Sequence, residues 1–145
     1  MKYPPKFKKL LIKACQELRD EFYCQEFELK VVFEDEVEGN EDVAAHIRTD
    51  FRYLNLTVYI RPPILRMYEA KDYRAIGECL IHEFCHILTD PIYKIAVDAI
   101  TNSSHQFLEE VRERQTQRIT NLIFPHIPKS IYTPTLFGLK AKNNH

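Results

Sequence analysis

Glycine is scarce in this chain: three residues in 145, with no tryptophan at all. Few turns can rely on glycine, and no glycine-rich loop is available to cradle a phosphate. A Gly-x-Ser-x-Gly nucleophile elbow is also missing. The net charge is only −1. No bulk electrostatic case follows for nucleic acid or an anionic membrane, so neither is an expected partner. No apolar run approaches the length of a membrane-spanning helix. The N-terminus carries Lys2, Lys6, Lys8 and Lys9, but Lys13, Gln16 and Glu17 cut short the apolar run Leu10-Leu11-Ile12. That argues against a signal peptide and leaves a cytoplasmic chain as the expectation. The four cysteines form no Cys-x-x-Cys pair, so a structural zinc knuckle is not indicated. Cys79 and Cys85 are six apart, about 120° round a helix, and cannot bridge each other there.

What is present is an ordinary apolar fraction of 45% and enough length for one core-forming domain, residues 1–145. Phe7, Leu10, Leu11, Ala14, Leu18 and Phe22 mark one face of a helix over residues 4–23, begun by Pro4-Pro5. Phe27–Phe33 alternates as a half-buried strand. The acidic stretch 34–42, with Gly39-Asn40, lacks the spacing of a calcium loop and reads as a solvated connection. Val43–Thr49 is a weaker strand. Arg52–Ile60 is a clear one, with Leu54, Leu56, Val58 and Ile60 on one face and Arg61-Pro62-Pro63 as its stop. Asp72 caps a helix expected to run from Tyr73 to about Thr89, where Asp90-Pro91 ends it. Ile92–Ile100 is then a short separate helix. A last helix over residues 104–124 has a stripe of Leu108, Val111, Gln115, Ile119 and Leu122. The tail packs through Ile131, Tyr132, Leu136 and Phe137, and residues 140–145 fray. The order describes an α+β domain: an N-terminal helix, a small mixed or antiparallel sheet, a central helix and a C-terminal helix.

The central helix carries His82-Glu83-Phe84-Cys85-His86. Residues four apart stand one above the other, so both imidazoles can reach one metal ion. Glu83 lies about 100° round from His82, beside such a metal rather than on it. This is the His-Glu-x-x-His pattern, which supplies two nitrogen donors and one carboxylate to take a proton from water. A chain of this composition produces it by accident roughly 2% of the time, so context must decide. A catalytic zinc needs a third protein ligand. Asp90 and Asp98 are possible, although Asp90 is explained by the helix end. Glu109, Glu110 and Glu113 on the last helix are better placed. Glu109 and Glu113 flank its stripe one turn apart and Glu110 points further away, which puts Glu110 third.

The sequence of a small sheet, His82-Glu83-Phe84-Cys85-His86, Asp90-Pro91 and a later Glu-bearing helix resembles a minimal gluzincin-type zincin. It is similar to small phage- and prophage-borne metallopeptidase-like proteins. In those, the ligand glutamate is followed by small or apolar residues at offsets of three, six and seven. From Glu113 these are Thr116, Ile119 and Thr120, two of them more polar than the pattern, and this resemblance sets Glu113 ahead of Glu109. The resemblance spans about residues 52–124. It implies a zincin-like fold and a Zn2+ held by His82, His86 and Glu113. It further implies a peptide or protein substrate attacked by zinc-bound water that Glu83 activates. It also suggests that strand 52–60 borders the cleft. Tyr93, His105 and Tyr132 are the candidates for stabilising an oxyanion. The rival expectation is a catalytically inactive zinc-binding module acting through a protein partner, and beyond that an interaction protein whose motif is accidental.

Overall fold

The computed structural model describes residues 3–35, 42–99 and 105–127. The turn at Gly39-Asn40, most of the acidic stretch and the tail residues Ile131, Tyr132, Leu136 and Phe137 lie outside them. The described residues form an α+β structure of four α-helices and a three-stranded sheet.

Helix α1, Pro5–Glu21, starts with proline where no helical N–H is required. It buries Phe7, Leu11, Ala14, Cys15 and Leu18, the expected spacing plus Cys15. Its end is a Schellman turn: the Tyr23 N–H bonds the Asp20 carbonyl and the Cys24 N–H bonds that of Arg19. Tyr23, at φ 55°, occupies the left-handed position where glycine is usual. Scarce glycine is thus met by non-glycine residues in left-handed backbone, here and at Leu54 and Lys71.

Strands β1 (Glu28–Phe33), β2 (Ala45–Asp50) and β3 (Asn55–Ile60) lie in the order β1-β3-β2. β1 runs parallel and β2 antiparallel to the central β3, in registers such as Val31↔Val58 and Ile47↔Val58. Leu56, Val58 and Ile60 with Ala45, Ile47 and Thr49 face the core. His46, Arg48, Thr57 and Tyr59 lie on the other face. β3 begins at Asn55 rather than Arg52. The Asp50 carboxylate accepts the N–H groups of Arg52 and Tyr53, which makes residues 51–54 a turn.

Two helices differ from the sequence expectation. Arg61-Pro62-Pro63 ends β3 but also opens α2, Pro62–Glu69, because both prolines sit in the first turn, where missing donors cost nothing. Helix α3 does not stop at Asp90. It runs from Tyr73 to Ala99 as one element, with Pro91 inside it. The proline forfeits one ladder bond to the carbonyl four residues earlier. Contacts beyond the proline offset that loss: the Arg112 guanidinium stacks over Tyr93 at 4.4 Å, and Lys94 donates to the Thr49 carbonyl. The Asp72 cap is as expected, its carboxylate accepting the Ala75 N–H at 3.1 Å.

Helix α4, His105–Ile123, packs along α3. Its buried residues are Thr116 and Thr120, not the stripe read from the sequence. Leu122 is 72% exposed. Leu108, Val111, Gln115 and Ile119 instead line an apolar groove with Leu88 and Ile92 of α3. The two threonines can face α3 because each hydroxyl bonds back to a carbonyl one turn earlier, Arg112 at 2.9 Å and Thr116 at 2.8 Å. Their polarity is thereby satisfied and their methyl groups are left to pack. No helix among the described residues is long and apolar enough to cross a membrane.

Candidate metal centre

Three elements converge on one spot. α3 presents His82, Glu83 and His86 from its middle turns, α4 presents Glu113, and β2 passes alongside as the outer strand of the sheet. The Nε2 of His82 lies 3.4 Å from Glu113 Oε2, and the Nε2 of His86 lies 3.4 Å from Glu113 Oε1. One donor atom from each of the three residues falls within 4.8 Å of the others.

The His82 contact is a long hydrogen bond, and both separations also fit two ligands of one metal. A charge-assisted N–H···O bond closes to about 2.7–2.9 Å. Two donors of a tetrahedral zinc, each about 2.0–2.1 Å from the ion, stand roughly 3.3 Å apart. Two imidazoles and one carboxylate are also a donor set suited to zinc.

Histidine tautomers are fixed by what the far nitrogen touches. His86 Nδ1 lies 3.3 Å from the Thr116 hydroxyl and 3.5 Å from Asp90 Oδ1. Thr116 spends its single proton on the Arg112 carbonyl, so toward His86 it can only accept. A carboxylate also only accepts. The Thr116 hydroxyl therefore assigns the proton to Nδ1 and leaves the Nε2 lone pair facing Glu113, with the Asp90 carboxylate nearby but not hydrogen-bonded. Asp90, expected to serve as a helix stop, is instead a carboxylate beside His86, close enough to Arg112 (3.6 Å) to share its charge.

Glu83 is anchored from the sheet: its Oε2 accepts the Ile47 N–H at 3.0 Å. Burial pushes its carboxyl up to about 7, against the pull of His86, of His82 and of that N–H. Such a group exchanges a proton near neutrality, as a general base should. His82 is raised above its ordinary value, first by its hydrogen bond to Glu113, and Glu113 is lowered by the same contact. Cys79, one turn before His82, is a thiol pushed up to about 12, by burial first and then by Glu83. In that state it is a packing residue rather than a thiolate ligand.

The cluster opens onto a cavity of about 660 Å³ between β2 and α4, bounded by Ala45, His46, Ile47, Glu83 and Arg112. A second cavity of about 690 Å³ meets it at His82 and is walled by Arg74, Glu78, Gln117 and Asn121. The strand beside the site is β2. β3, expected there, is the central strand and is shielded by it.

The other glutamates separate cleanly. Glu109 sits at the cavity rim and binds Arg112 at 3.3 Å, while Glu110 is exposed and accepts from Gln106. Of the candidates for an oxyanion donor, Tyr93 lies under Arg112 and lines the apolar groove, His105 opens α4 as an exposed residue, and Tyr132 is outside the described residues. Sequence reasoning missed Arg112, whose guanidinium borders the cavity and bonds Glu113 at 3.1 Å. Its only sequence signal was adjacency to Glu113. Comparison with protein-family models, with curated proteins and with solved structures gives no match for this chain.

Proposed function

We propose that the chain is a zinc-dependent hydrolase, a metallopeptidase of the gluzincin type resembling the small phage-borne members. The observation that carries this reading is the pair of 3.4 Å contacts that Glu113 makes to the two Nε2 atoms, with Glu83 held next to them. Three protein donors opening onto a cavity are what a catalytic, rather than a structural, zinc requires. A bound zinc would supply a Lewis acid for a carbonyl and would acidify water at the open position. His82, His86 and Glu113 would hold it. Thr116 keeps the His86 ring in the tautomer that can ligate. Glu83, oriented by the Ile47 N–H, takes the proton of the attacking water and returns it to the departing amine. β2 is an outer strand of the sheet and borders the cavity, so an extended peptide can lie along it, although its outward Ile47 N–H and Thr49 carbonyl are already held by Glu83 and Lys94.

Glu83→Gln tests the mechanism, because the amide oxygen keeps the Ile47 bond while losing the base. The variant is expected to retain zinc and to lose at least about 100-fold in peptide hydrolysis. Full activity in zinc-loaded Glu83→Gln protein would sink the mechanism.

A further inference from the structure

A third cavity, about 480 Å³, continues from the site cavity along β2. The two share His46, Ile47 and Asp90. Three cations line it: Arg61, beside Ala44 at the near end of β2, and Arg48 and Lys94 farther along, Lys94 at Thr49. Lys94 is there only because α3 continues through Pro91. Its ammonium reaches across to the Thr49 carbonyl at 3.2 Å.

The charges do not cancel. Arg61 is matched by Glu34 at 2.8 Å, and Asp90, which also lines this cavity, stands only at ion-pair distance from Arg112 (3.6 Å) and 3.5 Å from His86. Arg48 and Lys94 have no carboxylate partner among the described residues. The floor is a rigid aromatic pair, with the His46 ring stacked on Tyr59 at 4.4 Å and 5°. His46 Nδ1 is buried there without a hydrogen-bond partner. Arg48 and Lys94, two cations without a carboxylate partner among the described residues, give this part of the cavity the charge to receive an anion.

Position gives the anion its identity. Along β2, Ile47 is the residue held by Glu83 and Thr49 the residue held by Lys94. Two residues of strand at about 3.3 Å each separate them. A chain lying on this edge with its reacting bond at Glu83 brings its second or third residue from that bond to the cations. We infer that Arg48 and Lys94, with the His46–Tyr59 floor, form a subsite for a carboxylate two or three residues from the scissile bond. The carboxylate belongs to an acidic side chain or to the peptide terminus. This rests on the peptidase reading above.

The test uses a positional decapeptide library with one position at a time fixed as Glu or Gln, made with amidated and with free C-termini. Binding is measured to zinc-loaded Glu83→Gln protein, and cleavage by wild type, at about 50 mM and about 500 mM salt. The expected result is a Glu-over-Gln ratio of about tenfold at one position, falling toward one in Arg48→Ala/Lys94→Ala and at high salt. Arg48→Lys/Lys94→Arg, which keeps both charges, retains most of it. A gain seen only with free C-termini assigns the subsite to the peptide terminus. No carboxylate preference in either series, or one that survives the double alanine substitution, overturns the subsite. The two readings fail separately. Cleavage without carboxylate preference removes the subsite and keeps the peptidase, whereas selective binding without any cleavage removes the peptidase and leaves Arg48 and Lys94 as a carboxylate-binding site only, which overturns its role as a subsite.

Discussion

Thr116→Val removes one atom from the centre of the network. The residue is fully buried, and its hydroxyl contacts His86 Nδ1 at 3.3 Å, Thr89 Oγ1 at 2.9 Å and the Arg112 carbonyl at 2.9 Å. Valine fills the same volume but cannot hydrogen-bond. The Thr89 hydroxyl and the His86 N–H each lose a partner, which costs about 1–2 kcal/mol of stability. His86 Nδ1 is then left with no hydrogen-bond partner, the nearest acceptor being the Asp90 carboxylate at 3.5 Å. Loss of such a supporting bond weakens metal affinity about 10–100-fold. The negative charge of Asp90, 3.5 Å away, still favours a proton on Nδ1, which puts the expectation at the lower end, about tenfold. Competition for zinc against a chromophoric chelator reads this directly. Thr116→Ser is the control: it keeps the hydroxyl and loses only a methyl, so it should lose stability and keep zinc affinity. Equal zinc affinity in Thr116→Val and wild type would refute the argument that this hydroxyl sets the His86 proton. So would an equal loss in Thr116→Ser, which would make the effect one of packing.

Pro91→Ala restores a ladder bond inside α3, against a smaller loss from a freer unfolded chain, for a net gain of about 1–2 kcal/mol. Thermal melts should rise by several degrees; a fall would mean that the helix is interrupted there. Lys71, at φ 60°, carries the steric cost of left-handed backbone at the end of α2. Lys71→Gly should raise Tm by about 3 °C, for a gain of about 1 kcal/mol. The Lys71 N–H bonds the Tyr68 carbonyl and the Asp72 N–H that of Met67, a second Schellman turn, and a decrease would count against it.

Much of the fold was legible because local signals agreed with tertiary demands. The apolar spacing of α1 is the face it buries, the alternation in β3 is its core face, and Asp72 is a working cap. The motif could be placed on α3 because i, i+4 spacing is a property of the helix alone. What the sequence concealed were the places where a local signal was overruled. Asp90-Pro91 is a stop signal, yet contacts from Tyr93 and Lys94 carry α3 through it. Pro62-Pro63 is a strand stop that serves equally as a helix start. On α4 the apolar stripe suggested the core face, but the core side is taken by Thr116 and Thr120, whose hydroxyls are satisfied within the helix. Glu113 precedes those threonines by three and seven residues, and the same face brings it to the histidines. The roles of Asp90 and Arg112 depend on α3 and α4 packing together, so no window of sequence contains them.

Zinc content after dialysis, measured on wild type, Glu113→Ala and Glu109→Ala in parallel, tests the central claim most directly. One zinc per chain is expected in wild type and in Glu109→Ala, whose carboxylate only meets Arg112 at the rim. A large loss is expected in Glu113→Ala. Wild-type protein without stoichiometric zinc, or a loss that follows Glu109 and spares Glu113, would contradict the account.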